Sequence, residues 1–420
     1  MIPEMPSLRR SFSWMLVGNI LYAACLWGIV SLLTKLGSPE ALGRYALATA
    51  VATPLIIFAN LQLRPILATD CEDQYAFSEY LALRLICLPA ALLVVALISV
   101  CLYSGAQLAA ILLFACLRVL DGLSDIVHGY VQRYERLDIM ATSLALKGIG
   151  SLALFTALFL LTGELLPALA GQAAAGGLVF LVWDLPRIKG VMKTATGTVS
   201  LKPHWNMGRL RTLAWTSLPL GLAMLFIQLR NTIPRMILEN ERGEAELGLF
   251  AAMAYLIIIG NTVVMALSQS SLARLARAYA VDDAQSFLGV VKKLISVGAV
   301  LGAGGLLVAL LGGEKLLTLI YTEDYARQGG VFIIIMLAGG LYYVGTMLGP
   351  AATASGAYRE QLAIQGAHAL VLLVLGFLLI PAHGMLGAAW TMVAGALLVT
   401  ASYGVVTWRA VRRMKARSAT

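Results

Sequence analysis

Residues 79–103 read EYLALRLICLPAALLVVALISVCLY, and no charged residue follows Arg84 before the stretch ends. A helix needs about 20 mainly apolar residues to cross the roughly 30 Å hydrocarbon core of a bilayer. Loops and open strands cannot cross it, because lipid offers their backbone groups no hydrogen-bond partners. The stretch therefore predicts a membrane-spanning α-helix.

Comparable stretches occur along the whole chain of 420 residues, which is 60% hydrophobic and only 13% charged. Soluble domains contain about 45–50% apolar and about 25% charged residues. The polar breaks between the stretches predict twelve spans, and hence an all-α, polytopic membrane protein. The spans are expected near 12–36, 41–68, 79–103, 106–132, 139–162 and 164–186, and near 212–239, 246–275, 287–312, 328–353, 359–382 and 384–408.

The spans are expected to form two six-helix bundles, residues 1–190 and 212–420, joined by a cytoplasmic connector, residues 191–211. Ala41–Ala46 resembles Glu246–Ala251 after a shift of 205 residues, and each segment opens the second helix of its bundle. An even number of helices per bundle predicts parallel copies related by a pseudo-two-fold axis along the membrane normal. Parallel repeats bind substrate at their interface, near the middle of the membrane.

The 31 Lys and Arg residues are distributed unevenly between the predicted loops. With the N-terminus placed in the cytoplasm, twenty of them lie on the cytoplasmic side and five on the outer side. Lys and Arg collect on the cytoplasmic loops of membrane proteins. Both termini are therefore predicted to be cytoplasmic, in a bacterial inner membrane. The same bias explains the net charge of +9, and no basic, aromatic-rich soluble segment indicates nucleic-acid binding.

Charged residues inside the spans are the main indication of a site, because each costs about 2.5–3.5 kcal/mol at the bilayer centre on insertion scales. The fourth span carries five polar residues at spacings of three and four, which places them on one helical face. This stripe either lines a water-filled cavity or forms a structural network in which Arg118 pairs with Asp121. Its members are Arg118, Asp121, Asp125, His128 and Gln132.

Further polar residues occur in the second, fifth and seventh spans, where basic residues predominate. Arginine binds phosphate oxygens through two parallel hydrogen bonds, so the basic excess favours an anionic cargo. Arg84 and Arg235 lie near span ends, from which they could instead extend to the membrane surface. The predicted substrate-binding cavity comprises Arg64, Arg118, Asp121, Asp125, Gln132, Lys147, Gln228, Arg230, Asn231 and Arg235.

The sequence contains no motif typical of catalysis or of metal binding. The five cysteines include no CxxC pair, and the four histidines include no HExxH motif. The cysteines are expected to pack as small apolar residues. We therefore predict no catalytic residue, no metal site and no cofactor.

Several short segments, taken in order and at their spacing, resemble one known family along nearly the whole chain. The family is that of the polysaccharide flippases, which export O-antigen or capsule repeat units. It belongs to the multidrug/oligosaccharidyl-lipid/polysaccharide exporter superfamily. The segments are Leu42–Ala46, Asn60–Arg64, Ala68–Asp70, Tyr80–Leu85, Asp125–Arg136, Ser217–Gly221, Ile233–Arg235, Leu247–Phe250 and Leu272–Leu275.

The resemblance implies alternating access between two six-helix bundles. The implied cargo is an oligosaccharide linked to undecaprenyl pyrophosphate, which moves from the inner to the outer leaflet. The basic cavity would receive the pyrophosphate and sugars while the lipid tail stays in the bilayer. The resemblance also implies two further partners. One is a coupling ion, H⁺ or Na⁺, and the other is a polysaccharide polymerase.

Two alternatives stay open at this point. A drug or cation antiporter of the same superfamily would need an acidic cavity, and Asp121 and Asp125 could serve it as ion sites. A membrane glycosyltransferase or polymerase would need acidic catalytic groups and binding room in external loops. The longest predicted outer loop spans only residues 313–327, which favours a transporter over an enzyme.

Overall fold

The computed structural model describes residues 8–70, 74–134, 136–196 and 201–417, and all regular structure within these ranges is helical. The prediction of an all-α fold is therefore confirmed. The helices are α1 (Leu8–Leu36), α2 (Pro39–Ala59), α3 (Leu63–Thr69), α4 (Phe77–Leu102), α5 (Gly105–Arg133), α6 (Leu137–Thr162), α7 (Leu165–Val179), α8 (Leu185–Thr196), α9 (Met207–Ala280), α10 (Ala284–Ile320), α11 (Glu323–Ala326), α12 (Gly329–Ala354) and α13 (Tyr358–Arg417), with a π-helical segment, Phe180–Asp184, between α7 and α8.

Two of the longest helices turn sharply at a glycine. Gly243 in α9 has φ 82° and Gly384 in α13 has φ 56°, a backbone region that glycine adopts at little cost. Ten helical segments of the described chain are long and apolar enough to cross a membrane. The 29-residue α5 has the length for another, and Gly384 divides the last candidate into two. The predicted number of about twelve spans is thereby confirmed.

The described residues form two compact units. One comprises the chain up to Gly37 together with Leu47–Gln228, and the other comprises Ser38–Ala46 together with the chain from Leu229. The first unit extends beyond the predicted bundle to Gln228, and the first part of α9 contacts the end of α2. A Cβ atom placed on Gly221 would lie 3.2 Å from the carbonyl oxygen of Phe58. The division into two six-helix bundles, residues 1–190 and 212–420, remains a prediction.

In the first unit, α5 is the central helix. It packs against α3, α4, α6 and α7. The polar stripe of α5 therefore faces protein instead of lipid, which the cost of intramembrane charge requires. Around it lies a core that includes Leu67, Tyr80, Ile126 and Val131, all buried.

In the second unit, α12 packs against both α10 and α13. Small residues set the approach of these helices, since a Cβ atom on Gly302 would lie 2.5 Å from the Cα atom of Gly340. Close approach through small residues is the usual basis of helix packing where lipid removes the hydrophobic driving force. Phe332, Ile335 and Met347 of the same helix α12 are also buried.

The two repeated segments meet in the second unit. A Cβ atom on Gly43 would overlap the carbonyl group of Glu244, and one on Gly248 would overlap that of Pro39. A shift of 205 residues carries Pro39 onto Glu244 and Gly43 onto Gly248. The two contacts are thus the same contact made once by each copy. An ion pair between Arg44 Nη2 and Glu244 Oε2, 2.9 Å apart, lies beside it.

We expect Gly43→Ala to lower the thermal stability of the purified protein in detergent. The added methyl group has no space at this crossing, and overpacking costs about 1–3 kcal/mol. Gly304→Ala is the matched control, because its Cβ atom would meet nothing within 4 Å and alanine favours the helix. Equal melting temperatures for the two variants would contradict the close crossing.

Candidate substrate cavity

A break between α2 and α3 interrupts the predicted second span and brings polar groups together. Leu61 and Gln62 have φ values of 47° and 52°, a left-handed conformation that residues other than glycine rarely adopt. Such positions cost about 1–3 kcal/mol each and persist only where surrounding structure holds them. The sequence predicts one span over 41–68, so the break inside it is a finding of the structure. It brings Asn60, Gln62 and Arg64 to one side of the turn.

These side chains line a cavity of about 420 Å³ in the first unit. Four of the predicted site residues meet there, namely Arg64, Asp125, Gln132 and Gln228. Arg64 Nε donates a hydrogen bond of 3.1 Å to Gln132 Oε1, and its Nη1 atom lies 3.5 Å from Asp125 Oδ1. The Arg64 side chain stays 29% exposed, so part of the guanidinium faces the cavity.

Asp125 also holds a second arginine. Arg84 is 0% exposed, and its Nη2 atom lies 3.0 Å from Asp125 Oδ2. Its Nη1 atom donates to the Asn60 side chain. Arg84 therefore does not extend to the membrane surface, which the sequence left as one alternative. One carboxylate shared by two guanidinium groups leaves this cluster with a net charge of +1.

Two glycines of α5 allow the helix to approach the break closely. A Cβ atom on Gly122 would lie 2.9 Å from Asn60 Oδ1, and one on Gly129 would lie 3.1 Å from the carbonyl oxygen of Arg64. Asp125 lies between these glycines in the sequence. The short approach places its carboxylate within reach of both arginines.

Three other predicted site residues form a separate group. Arg118 Nη1 lies 3.1 Å from Asp121 Oδ2, and both border a void of about 10 Å³ together with Lys147, Tyr22 and Gln172. The structural pairing of Arg118 with Asp121, one of the two sequence alternatives, is present. The void is far smaller than the cavity at Arg64.

The remaining predicted residues belong to the second unit. Arg230 and Arg235 line a cavity of about 140 Å³ whose described lining residues include no acid. The Arg230 guanidinium lies 4.0 Å from the ring centre of Tyr342, and that of Arg235 lies 5.2 Å from the ring centre of Tyr255. Cation–π contacts contribute about 0.5–1 kcal/mol at exposed sites and about 2 kcal/mol where they are desolvated. The side chain of Asn231 lies outside the described residues.

Sequence reasoning missed several residues of these groups. It named Asp121 and Asp125 as the acids of the site and left out Asp184, near the end of the predicted span 164–186. Asp184 is buried and lies 3.6 Å from Lys147 Nζ. An acid inside an otherwise apolar span was the available signal. The contact of Tyr342 with Arg230 could not be predicted from the sequence, because aromatic residues are common in membrane spans.

No protein-family model matches the chain. The capsular polysaccharide biosynthesis protein CapF of Staphylococcus aureus is 27% identical over 401 residues, which cover 94% of this chain and 98% of that protein. An inward-facing multidrug resistance MATE family transporter of the MOP superfamily superimposes with a TM-score of 0.72 over 96% of both chains, at 13% identity. The lipid II flippase MurJ, in an inward closed conformation, gives a TM-score of 0.70 over 96% of this chain and 92% of its own, at 10% identity.

The chain is therefore a multi-pass membrane protein whose fold is similar to those of the MATE transporter and of MurJ. The predicted resemblance to the polysaccharide flippases is confirmed by the similarity to a capsular polysaccharide biosynthesis protein.

We expect Asp125→Asn to destabilise the protein more than Arg64→Gln does. The first change leaves Arg84 buried without its counter-charge, and breaking a buried pair costs about 3–5 kcal/mol. The second change leaves the Arg84–Asp125 pair intact. Thermal unfolding of both variants in detergent measures the difference, and an equal or larger loss for Arg64→Gln would contradict this assignment.

Proposed function

We propose that the protein is a flippase for an oligosaccharide linked to undecaprenyl pyrophosphate, the repeat unit of a capsule, O-antigen or exopolysaccharide. It carries this cargo from the cytoplasmic to the outer leaflet of the bacterial inner membrane. The observation that carries the proposal is the polar cavity at Arg64, whose side chain stays partly exposed and whose counter-ion Asp125 is shared with Arg84. The capsular relative and the lipid II flippase support the same cargo class.

The chemistry of the first-unit cavity fits this cargo. A guanidinium group binds a pyrophosphate through paired, charge-assisted hydrogen bonds. The side-chain amides of Gln62, Gln132 and Gln228 border the same space, and amides both donate to and accept from sugar hydroxyl groups. The lipid tail does not need the cavity, because it remains in the bilayer.

The transport cycle is alternating access, with both chain termini in the cytoplasm and the cavity open to one side at a time. The pyrophosphate loses its hydration when it leaves water, and its contacts with Arg64 compensate for the free energy of this loss. A polysaccharide polymerase on the outer side would consume the delivered repeat unit. Flipping breaks no covalent bond, so we assign the protein no catalytic residue.

The charges weigh against the cation antiporter. A cationic drug would need a free acid, but the Asp125 carboxylate contacts both Arg64 and Arg84. The cavity of the second unit is lined by Arg230 and Arg235 with no acid among its described lining residues. Similarity in fold to the MATE transporters is compatible with either cargo.

The direct test is deletion of the gene, followed by analysis of surface glycan and of extracted lipid-linked intermediates. We expect the surface polymer to disappear while the undecaprenyl-linked repeat unit accumulates on the cytoplasmic face. Normal surface glycan together with changed sensitivity to cationic compounds would instead favour the antiporter.

Among single variants, Arg64→Gln is expected to reduce glycan export at least ten-fold at unchanged membrane expression, because it removes the partly exposed guanidinium of the cavity. Arg118→Gln is expected to have a smaller effect, since Arg118 borders the separate void. Arg274→Gln is the control, because this residue is exposed in α9. Complementation of the deletion strain measures all three, and full export by Arg64→Gln would refute the anion-binding role.

A further inference from the structure

A buried group of titratable residues lies in the first unit, apart from the cavity at Arg64. It comprises His128 on α5, Lys147 on α6 and Asp184 at the end of the π-helical segment, all three buried. His128 Nε2 lies 3.4 Å from Asp184 Oδ1, and Lys147 Nζ lies 3.6 Å from Asp184 Oδ2. One carboxylate is thus held between two nitrogen bases from two other helices.

The contacts of this group are long for buried charges. Hydrogen bonds from charged nitrogen to carboxylate usually measure about 2.7–2.9 Å. Asp184 Oδ2 and the buried hydroxyl of Ser143 make no hydrogen bond of ordinary length among the described residues, although Ser143 interacts with the Asp184 carboxylate. Unsatisfied buried polar atoms cost about 1–3 kcal/mol each. A network that serves only to stabilise the fold would be expected to satisfy them.

The backbone at Asp184 is also unusual. Phe180–Asp184 is the π-helical turn, and such turns occur frequently at functional sites. Trp183 Nε1 donates a 3.2 Å hydrogen bond to the carbonyl oxygen of Ile139 on α6, and the Arg187 guanidinium lies 4.4 Å from the Trp183 ring. The turn is thus fixed on both sides, and it aims Asp184 at His128 and Lys147.

The charges around the group determine what it can bind. The elements packed against it contribute Arg118 and Asp121 from α5, Tyr22 from α1 and Gln172 from α7, all at the void that Lys147 borders. Arg118 and Asp121 neutralise each other. With a neutral imidazole, Lys147 and Asp184 also balance, so one added proton changes the net charge of the whole group from zero to +1.

A metal cation does not suit the group. The ammonium group of Lys147 would repel Na⁺ at the Asp184 oxygens, and hard cations need several oxygen ligands. The described residues contain no cluster of three or more His, Cys, Asp and Glu side chains that could hold a metal ion. Histidine, by contrast, gains and loses a proton near neutral pH.

The group is mechanically connected to the cargo cavity. His128 follows Asp125 by three residues on α5, which is less than one helical turn. Asp125 contacts Arg64 and Arg84 on one side of the helix, while His128 contacts Asp184. If protonation of His128 shifts α5, the shift therefore also moves the Asp125 carboxylate. This carboxylate competes with the cargo for Arg64.

We propose that His128, Asp184 and Lys147 form a proton-binding site that couples transport to a proton gradient. The proton comes from water, adds to the free ring nitrogen of His128 and returns to water when the site opens to the other side. The imidazolium then shares the Asp184 carboxylate with Lys147 as a second cation. The proposal rests on the proposed function for its cargo, and it selects H⁺ over Na⁺ as the coupling ion.

Flipping by the full-length protein in liposomes tests the coupling, with a fluorescent disaccharide on a short-chain polyprenyl pyrophosphate as probe. We expect a pH gradient, but not a sodium gradient, to accelerate wild-type flipping at least five-fold. At a pH above the His128 titration midpoint, where the wild-type imidazole is neutral, His128→Gln and Asp184→Asn should bind the probe within two-fold of wild type, yet show no acceleration. His383→Gln is the matched control, because His383 is exposed on α13, and it should retain the full acceleration.

Each other outcome has a distinct meaning. Acceleration retained by both variants, or absent from a wild-type protein that still flips the probe, overturns the proton site and leaves the flippase intact. A wild-type protein that never flips the probe overturns the proposed function instead.

A measurement on the wild-type protein tests the proposal even if the variants fail to fold. Nitrogen-15 NMR of the histidines in lipid follows the titration of His128, assigned by elimination from replacements of the other three histidines. Because coupling between two binding events is reciprocal, saturating probe should shift the His128 titration midpoint by at least one pH unit. An unchanged midpoint refutes the proposal.

Discussion

The carboxylate of Asp125 is the group on which the first unit depends. A fully buried arginine in a membrane protein needs a counter-charge, and Asp125 supplies it to Arg84. The same carboxylate is shared with Arg64, so it cannot neutralise both. One acid therefore makes the buried arginine tolerable and leaves the neighbouring cavity positive. Stability and the preference for an anion have a common origin here, and a substitution at Asp125 alters both together.

The membrane spans could be predicted because lipid thickness fixes their length. The stretch 79–103 corresponds to Phe77–Leu102, and the span 106–132 to Gly105–Arg133. The break at Leu61 and Gln62 could not be predicted. Neither residue is a glycine or proline, and both have φ values that only tertiary packing holds. The glycines that make room for this packing, Gly122 and Gly221, come from distant parts of the sequence.

The site was predictable as a set of residues but not as a set of contacts. Helical spacing places Arg118, Asp125 and His128 on one face of α5, and α5 does lie inside the unit. Which neighbour each residue meets depends on how six other segments pack around that face. Asp125 meets α3 and α4, His128 meets the π-helical segment, and Arg118 borders a void shared with α1 and α7. One stripe in the sequence is thereby divided among separate groups.

The crossing of the repeated segments has the geometry of an isologous dimer interface, in which residue i contacts j and j contacts i. Gly43 meets Glu244 and Gly248 meets Pro39 within one polypeptide. Two identical subunits would make every such contact twice, and any substitution would act at both places. A continuous chain is free of that restriction. Arg44 pairs with Glu244, while the corresponding positions hold Leu249 and Pro39, so one half of a symmetric contact is charged and the other is apolar.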